Sequence, residues 1–516
     1  MIEGSKDAHG GECPRGALAY WSTQEIAIRL FLTCWIIFAL HFSTNIVREI
    51  YLTLTIGDHA SFRVDEYAGL HPDLFEKPGY GWHIGSNPGV SMVAAVPYAI
   101  VRPIIDAIVQ HVRVRREQNQ QNPPAYDSPW PMARRFYEES WKRGYDVKFA
   151  LGSLVMQVLC MAPSSALGVV AMFLVLRRLL VSRRAALWLA FLYAFGTPVF
   201  YRTGYLNHNL MLGHIAFGGF LLLWNPFEWS RDSRPARYGW AGVAGGTALL
   251  FDYSGGIFLV ALCLYGLIKA CAEESFQAGM RLSIRYVLGA FGPIFLLWWY
   301  QGMSFGHPFL PGQHWMPSVE WIERGYQGVG WPQFELLSLL LFDYRYGLFV
   351  TSPLMLLAFV AIQRAFRVKS ILGLRELGFI FLTFFALWLF FGGVNYTRLQ
   401  FNTGIRYLSP IFPFLFIPLA VTLAQWSERW VLLIGIVSVA QNWALAMYRD
   451  VERGLGVLDP LFHVFAGGFQ LPLLTTLSRF NAQFGDVFVN GPSPLPLFAL
   501  TGALLYVIWR ARSEPM

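Results

Sequence analysis

The sequence predicts an all-α integral membrane protein of about twelve transmembrane helices, with juxtamembrane helices on the outer face in its first long loop. Three observations predict this fold class. Charged residues make up 14% of the 516 residues, against roughly 25% in an ordinary soluble protein. Hydrophobic residues reach 55%, and the mean hydropathy is +0.42. Apolar runs of about 17–25 residues, the length of a membrane-spanning helix, recur along the chain.

The first apolar run lies at about 25–45. No convincing small-residue cleavage site follows it, so we expect an uncleaved first helix rather than a signal peptide. The later runs lie at 149–176, 185–201, 209–225, 239–251, 255–271, 286–302, 348–364, 377–393, 409–424, 430–448 and 493–509. Asp252 interrupts the apolar region 239–271, and a carboxylate there either faces a cavity or partner or caps a broken helix.

Arginines in the short connections predict the orientation of these spans. They cluster at Arg177, Arg178, Arg183 and Arg184, at Arg231, Arg234 and Arg237, at Arg364, Arg367 and Arg375, and at Arg510 and Arg512. All fall on one side if the spans alternate, and the positive-inside rule makes that side cytoplasmic. We therefore expect one polytopic domain, 1–516, with both termini in the cytoplasm and with three long outer loops, 46–147, 303–347 and 449–492.

The net charge of +8 does not indicate nucleic-acid binding, because the arginines are scattered through short loops rather than gathered on one surface. Three of the five cysteines, Cys34, Cys160 and Cys263, lie inside apolar runs. The sequence therefore predicts no disulfide framework.

Polar side chains that could take part in catalysis or binding concentrate in the expected outer segments. The first long loop contains Asp65-Glu66, Asp73, Lys77 and His83, and then a short apolar stretch, 87–98, bounded by prolines. That stretch is more typical of a helix on the membrane surface than of a full span.

An ordered set of motifs resembles the GT-C superfamily of polytopic glycosyltransferases, which includes protein O-mannosyltransferases and aminoarabinose transferases. The matching residues are Asp65-Glu66, Asn87-Pro88-Gly89, Gly196-Thr197-Pro198, Asn207-His208, Asp343-Tyr344-Arg345-Tyr346-Gly347 and Gly404-Ile405-Arg406-Tyr407. They cover about 25–425 in the order expected of that superfamily. Many relatives carry a Lys before the Pro-Gly, where this chain has Ser86-Asn87. Either Lys77, Arg63 or the later arginines replace that Lys, or the donor is held differently.

The resemblance implies transfer of a sugar from a polyprenyl-phosphate donor to a glycan, lipid or protein acceptor at the outer face of a bacterial inner membrane, with inversion at the anomeric carbon. Such a transfer needs a base for the acceptor proton and cations for the leaving phosphate. The candidate catalytic carboxylates are Asp65, Glu66 and Asp73. Asp65 is the first choice as the base because it follows the first span and lies in the motif, and Asp73 is the alternative, since sequence spacing does not separate the two. The candidate substrate-binding residues are Arg406, Arg345, Tyr407, Tyr346, Asn207, His208, His83 and Lys77.

Two other classes of protein stay open at this point. A secondary transporter or lipid flippase would show related halves and charges near the membrane midplane, and a non-catalytic scaffold would need no ordered Asp and Arg motifs.

We identify no cofactor in the sequence. No His or Cys pair has metal-ligand spacing, although a divalent ion stays open because oligosaccharyltransferases of the same superfamily use one.

Overall fold

Helices form most of the structure, as expected for a chain whose backbone polar groups must be satisfied inside a membrane. The computed structural model of the protein describes residues 21–119, 122–123, 125–126, 131–318, 320, 322–360, 372–398, 403–448, 456–480 and 493–510.

The helices are numbered here in chain order. The first nine are α1 (Thr23–Leu40), α2 (Arg48–His59), α3 (Gly89–Gln118), α4 (Pro131–Lys142), α5 (Asp146–Leu179), α6 (Arg183–Phe195), α7 (His208–Trp224), α8 (Arg234–Phe251) and α9 (Gly255–Glu273). The others are α10 (Phe276–Phe305), α11 (Phe334–Phe342), α12 (Leu374–Gly392), α13 (Phe412–Leu423), α14 (Glu428–Met447), α15 (Leu458–Phe465), α16 (Pro472–Ser478) and α17 (Leu495–Trp509). Short helical turns lie at Asp65–Tyr67, Val199–Arg202, Arg231–Ser233, Gly312–Trp315, Leu348–Thr351, Pro353–Leu356, Asn395–Arg398 and Ser409–Ile411.

Seven helices in the described part of the chain are long and apolar enough to cross a membrane: α1, α3, α5, α9, α10, α12 and α14. Helices α7 and α17 and the segment Ser409–Leu423 are apolar but shorter. Each apolar run expected from the sequence overlaps one of the helices or helical turns. The chain is therefore a helical integral membrane protein.

Helix α3 is longer than the short surface helix expected at 87–98. It continues for 30 residues, through Pro97 and Pro103. A proline inside a helix removes one backbone hydrogen bond and bends the helix without necessarily ending it. The apolar side chains of Val96, Ile100 and Ile104 are exposed along one face. By length and composition α3 qualifies as a span, and its position on the membrane surface stays a prediction.

A two-stranded hairpin separates α2 from α3. Its strands are β1 (Leu74–Lys77) and β2 (Gly81–Ile84), which pair antiparallel with Leu74 opposite Ile84. Gly79 in the connecting turn has a φ of +80°, a conformation that favours glycine. The hairpin was not expected from the sequence.

Helices α8 and α10 cross in close contact because glycines line their interface. A Cβ atom on Gly242 would lie 1.9 Å from the carbonyl oxygen of Tyr286, and one on Gly289 would lie 2.0 Å from that of Gly239. Small residues that let helix backbones approach closely are a common packing device in membranes. Helix α8 also packs against α7 and α9, so it joins the helices that carry one side of the candidate site.

Candidate active site

A cleft of about 850 Å³ opens where several helix ends meet. It lies just beyond the C-terminal ends of α1 and α14 and at the first residues of α2 and α7. Its polar lining includes Thr44, Arg48, Glu49, His71, Asp73, Arg202, Tyr205, Asn207, His208, Arg406, Gln470, Thr475, Thr476 and Arg479. Four of these residues are arginines and two are carboxylates, so the lining carries more positive than negative charge. Such a cleft favours an anionic ligand.

Arg48 joins the two carboxylates of the cleft. Its Nε lies 3.2 Å from Oε1 of Glu49, and its Nη1 lies 3.1 Å from Oδ2 of Asp73. The Glu49 side chain is 3% exposed, whereas that of Asp73 is 34% exposed. Asp73 is therefore the carboxylate that a ligand in the cleft can reach more easily, while Glu49 lies behind it.

The buried Glu49 also contacts His208. Nδ1 of His208 lies 3.1 Å from Oε1 of Glu49, and its Nε2 lies 3.7 Å from Oδ2 of Asp252. Burial opposes ionisation of Glu49, but the charges of His208 and Arg48 outweigh burial and hold the pKa of Glu49 well below its ordinary value. Glu49 is therefore an ionised group that holds the side chains of Arg48 and His208 in place.

Local capping explains why His208 and Asp252 meet at this point. The Asn207 side chain accepts a hydrogen bond from the backbone N–H of Leu210 (3.0 Å) and so starts α7 with His208 as its first residue. Asp252 follows α8, and its Oδ1 accepts hydrogen bonds from the N–H (2.8 Å) and the hydroxyl (2.6 Å) of Ser254. Asp252 thus lies at the break between α8 and α9, with His208 beside it.

His71 fixes the turn that carries Asp73. Its Nδ1 accepts the backbone N–H of Asp73 at 3.0 Å, and its ring meets the ring of Tyr51 edge-on at 5.8 Å. Burial lowers the pKa of His71 below its ordinary value. Because a backbone N–H can only donate, Nδ1 of His71 carries no proton in this arrangement.

Arg202 holds the segment that presents Arg406. The Arg202 side chain is buried, and its Nε donates to the carbonyl of Ile405 at 2.6 Å and its Nη1 to the hydroxyl of Tyr205 at 2.6 Å. Its Nη2 donates to the carbonyl of Gly404, a residue with a φ of +98°. Two hydrogen bonds from this guanidinium therefore set the backbone immediately before Arg406, and the third joins it to Tyr205.

The guanidinium of Arg406 makes no ion pair with a carboxylate among the described residues. It lines the cleft and lies 5.2 Å from the ring centroid of its neighbour Tyr407. A guanidinium without an acidic partner, in a partly buried cleft, is suited to bind phosphate oxygens.

The acidic pair Asp65-Glu66 lies at the hairpin rather than in the lining of this cleft. Oδ1 of Asp65 accepts the backbone N–H of Trp82 at 2.7 Å, and Oδ2 lies 2.9 Å from Nη2 of Arg63. The Asp65 side chain is 46% exposed. Glu66 lies 3.7 Å from Nε2 of His59. The hydrogen bond from Trp82 attaches the Asp65–Tyr67 turn to β2, and the His59 contact joins it to the end of α2.

Two other candidates from the first loop also lie outside the cleft lining. Nζ of Lys77 lies 3.3 Å from the ring centroid of Trp315. Both ring nitrogens of His83 face backbone carbonyls, those of Phe62 and Tyr80, each at 3.2 Å. His83 therefore contacts the carbonyl of Tyr80 in the turn of its own hairpin, and Lys77 contacts the Trp315 ring.

The Arg345 segment lies behind the Arg406 segment. The backbone carbonyl of Arg345 accepts the N–H of Gly404 at 2.7 Å, while its side chain lies 3.5 Å from Asp343 and 5.6 Å from the ring centroid of Tyr346. The hydroxyl of Tyr407 donates to the carbonyl of Tyr396 at 3.3 Å. Neither Arg345, Tyr346 nor Tyr407 lines the cleft.

One group in the described part of the chain has ligand types that could hold a metal ion. Oxygen or nitrogen atoms of Asp58, His59 and Glu66 lie within 4.8 Å of one another. However, Asp58 already lies 2.5 Å from Nζ of Lys148 and 3.4 Å from Nε of Arg102. These two cations balance the charge of Asp58, so the group fits an ion-pair network better than a metal site.

No protein-family model matches the chain, and no curated protein matches it. The structure is similar to the crystal structure of ArnT from Cupriavidus metallidurans in the apo state, with 16% sequence identity and a TM-score of 0.49. The match covers 96% of this chain and 76% of that chain.

The cleft brings together Asp73, Asn207, His208 and Arg406 from the sequence candidates. Sequence reasoning missed the other charged side chains and the second histidine of the lining, which are Arg48, Glu49, His71, Arg202 and Arg479. One signal could have indicated the first two: Arg48 and Glu49 are adjacent charges that follow closely after the first apolar run. Arg202 depends on contacts with a segment about two hundred residues later, and His71 on a hydrogen bond within its own turn, so neither follows from a sequence pattern.

Proposed function

We propose that this protein is a membrane glycosyltransferase that moves a sugar from a polyprenyl-phosphate donor to a hydroxyl of an acceptor at the outer face of the membrane. One observation carries the proposal: Arg406, free of any ion pair in the described part of the chain, shares a cleft with the carboxylates that Arg48 joins. The ordered motifs that resemble the GT-C superfamily support the same reaction.

Each group in the cleft has a role in this reaction. Arg406 binds the donor phosphate, and Asp73 accepts the proton of the acceptor hydroxyl. The acceptor oxygen forms a bond to the anomeric carbon while the bond from that carbon to the phosphate oxygen breaks, with inversion. The electron pair of the broken bond leaves on the phosphate, where Arg406 stabilises it.

Asp73 is the preferred base because it is both exposed and held in place. Its Oδ2 lies 3.1 Å from Nη1 of Arg48, and its side chain is 34% exposed, so an acceptor in the cleft can reach it. Arg48 is in turn held by the buried Glu49. Asp65, the first choice from the sequence, stays a prediction that the same experiment tests.

The test of the base compares Asp73→Asn with Asp65→Asn. Asn keeps the shape of the side chain but accepts no proton, so Asp73→Asn should lower transfer by on the order of 10²-fold while donor binding persists. Transfer is measured as sugar modification of cell-envelope glycolipids and glycoproteins by mass spectrometry in cells that express each variant. We expect Asp65→Asn to retain most of the transfer. Loss in Asp65→Asn alone would move the base to the hairpin, and activity in both variants would contradict a base from this loop.

The donor site is tested by binding of undecaprenyl phosphate to purified protein. Arg406→Ala should weaken binding, and Arg406→Lys should restore only part of it because lysine lacks the planar fork. Arg178→Ala is the matched control, since Arg178 pairs with Glu228 and lies outside the cleft lining. Equal affinity in Arg406→Ala and Arg178→Ala would remove Arg406 from the donor site.

A further inference from the structure

The backbone N–H of Asp73 donates its hydrogen bond to an imidazole rather than to a backbone carbonyl. The N–H of Asp73 donates to Nδ1 of His71, two residues earlier, at 3.0 Å. This arrangement imitates the turn in which an Asn or Asp side chain accepts the N–H two residues later. An imidazole can take this place only while its Nδ1 lone pair is free.

We propose that His71 is a positioning residue that holds Asp73 in the cleft only while its imidazole is neutral. The proposal rests on the function proposed above, in which Asp73 accepts the acceptor proton. Protonation of Nδ1 would replace the hydrogen bond by two N–H groups facing each other. The 71–73 turn would then move, and Asp73 would leave its place beside Arg48.

The charged groups around His71 come from three segments. Asp73 lies on the same turn as His71. Arg48 and Glu49 lie on α2, and Arg406 lies on the segment before α13. The two carboxylates favour the imidazolium form, whereas the two arginines oppose it.

Burial adds to the effect of the arginines, and together they outweigh the carboxylates, so the pKa of His71 lies below its ordinary value. The neutral form, with its proton on Nε2, is therefore the form expected near neutral pH. We expect transfer to fall as the pH drops through the lowered pKa of His71.

The experiment compares pH profiles of transfer for the wild type, His71→Asn and His71→Leu. Asn supplies an acceptor oxygen for the N–H of Asp73 but does not titrate near neutral pH, so its profile should lose the acid limb assigned to His71. Leu supplies no acceptor and should lower transfer by about 10-fold or more at every pH, since small misplacements of a reacting group are costly. His111→Asn, on the exposed part of α3, should keep the wild-type profile.

A second measurement does not depend on activity. The ¹⁵N chemical shifts of His71 in purified protein report which ring nitrogen carries the proton, and we expect the Nε2–H form at pH 7. An imidazolium or an Nδ1–H form at pH 7, or an acid limb unchanged in His71→Asn, would overturn the proposal. Absence of transfer from the wild type at every pH would instead contradict the proposed function.

Discussion

Arg202 is a buried guanidinium whose described partners are two backbone carbonyls and one phenol, with no carboxylate among them. Charge buried in this way is costly unless hydrogen bonds satisfy it. Its three partners accept from three of its five N–H donors, and they leave its positive charge unbalanced. Arg202 therefore adds to the positive potential of the cleft while it shapes the backbone before Arg406.

We expect Arg202→Lys to weaken undecaprenyl phosphate binding by about 10-fold, which corresponds to the loss of one hydrogen bond from a charged group. Lysine keeps the charge but cannot bridge two carbonyls and a hydroxyl at once. Binding to purified protein measures the effect. Arg178→Lys is the control, because Arg178 also donates to a backbone carbonyl, that of Pro226, at a distant place. Wild-type affinity in Arg202→Lys would show that this contact does not set the donor site.

At the scale of single residues, the sequence predicted part of the site. Arg406 and His208, which line the cleft, were candidates because each lies in a local sequence motif, and Asp73 was a candidate as a carboxylate of the first long loop. His71 was missed because its role is a hydrogen bond to its own turn, and Arg202 because its partners lie about two hundred residues later. Asp65 was chosen because it follows the first span. Its carboxylate lies where the hairpin holds it, and no periodic pattern in the sequence predicts that hairpin.

At the scale of elements, apolar length predicted the helices well and their contacts poorly. The run at 255–271 gave α9 within a few residues, because about 20 apolar residues suffice to define a spanning helix. The pairing of α8 with α10 could not be predicted, because the spacing of glycines in one helix does not indicate which other helix packs against them. The expected surface helix after Asn87 became the much longer α3 because Pro97 and Pro103 did not end it.

We expect Gly289→Ala to destabilise the protein, since its new Cβ atom would lie 2.0 Å from the carbonyl oxygen of Gly239. Gly292→Ala on the same helix is the matched control, because no atom lies within 4 Å of its new Cβ atom. Thermal unfolding in detergent should show a lower Tm for Gly289→Ala and an unchanged or slightly higher Tm for Gly292→Ala. Equal Tm values in the two variants would contradict close contact between α8 and α10.

At the scale of the whole molecule, the side of the membrane that the cleft faces depends on the arginine distribution. The sequence predicts that Ser318 lies outside and Ser182 inside. Both residues are exposed in the structure. The direction of the protein in the membrane stays a prediction, because the fold is compatible with either direction.

Single cysteines at these two serines test the orientation, in a background that lacks the five native cysteines. An impermeant thiol reagent added to intact cells should label Ser318→Cys but not Ser182→Cys. Disruption of the cells should then make both sites reactive, which controls for access. The reverse pattern in intact cells would place the cleft in the cytoplasm and exclude an acceptor on the outer face.

The unbalanced charges of Arg202 and Arg406 link folding to ligand concentration. Two guanidinium groups without carboxylate partners in the described residues repel each other when the cleft contains no anion, so an anion that binds between the helix ends should stabilise the folded protein. A ligand that binds only the folded state adds about 2.7 kcal/mol at one hundred times its Kd. The protein should therefore melt at a higher temperature as undecaprenyl phosphate is added, and this increase should shrink as salt is raised.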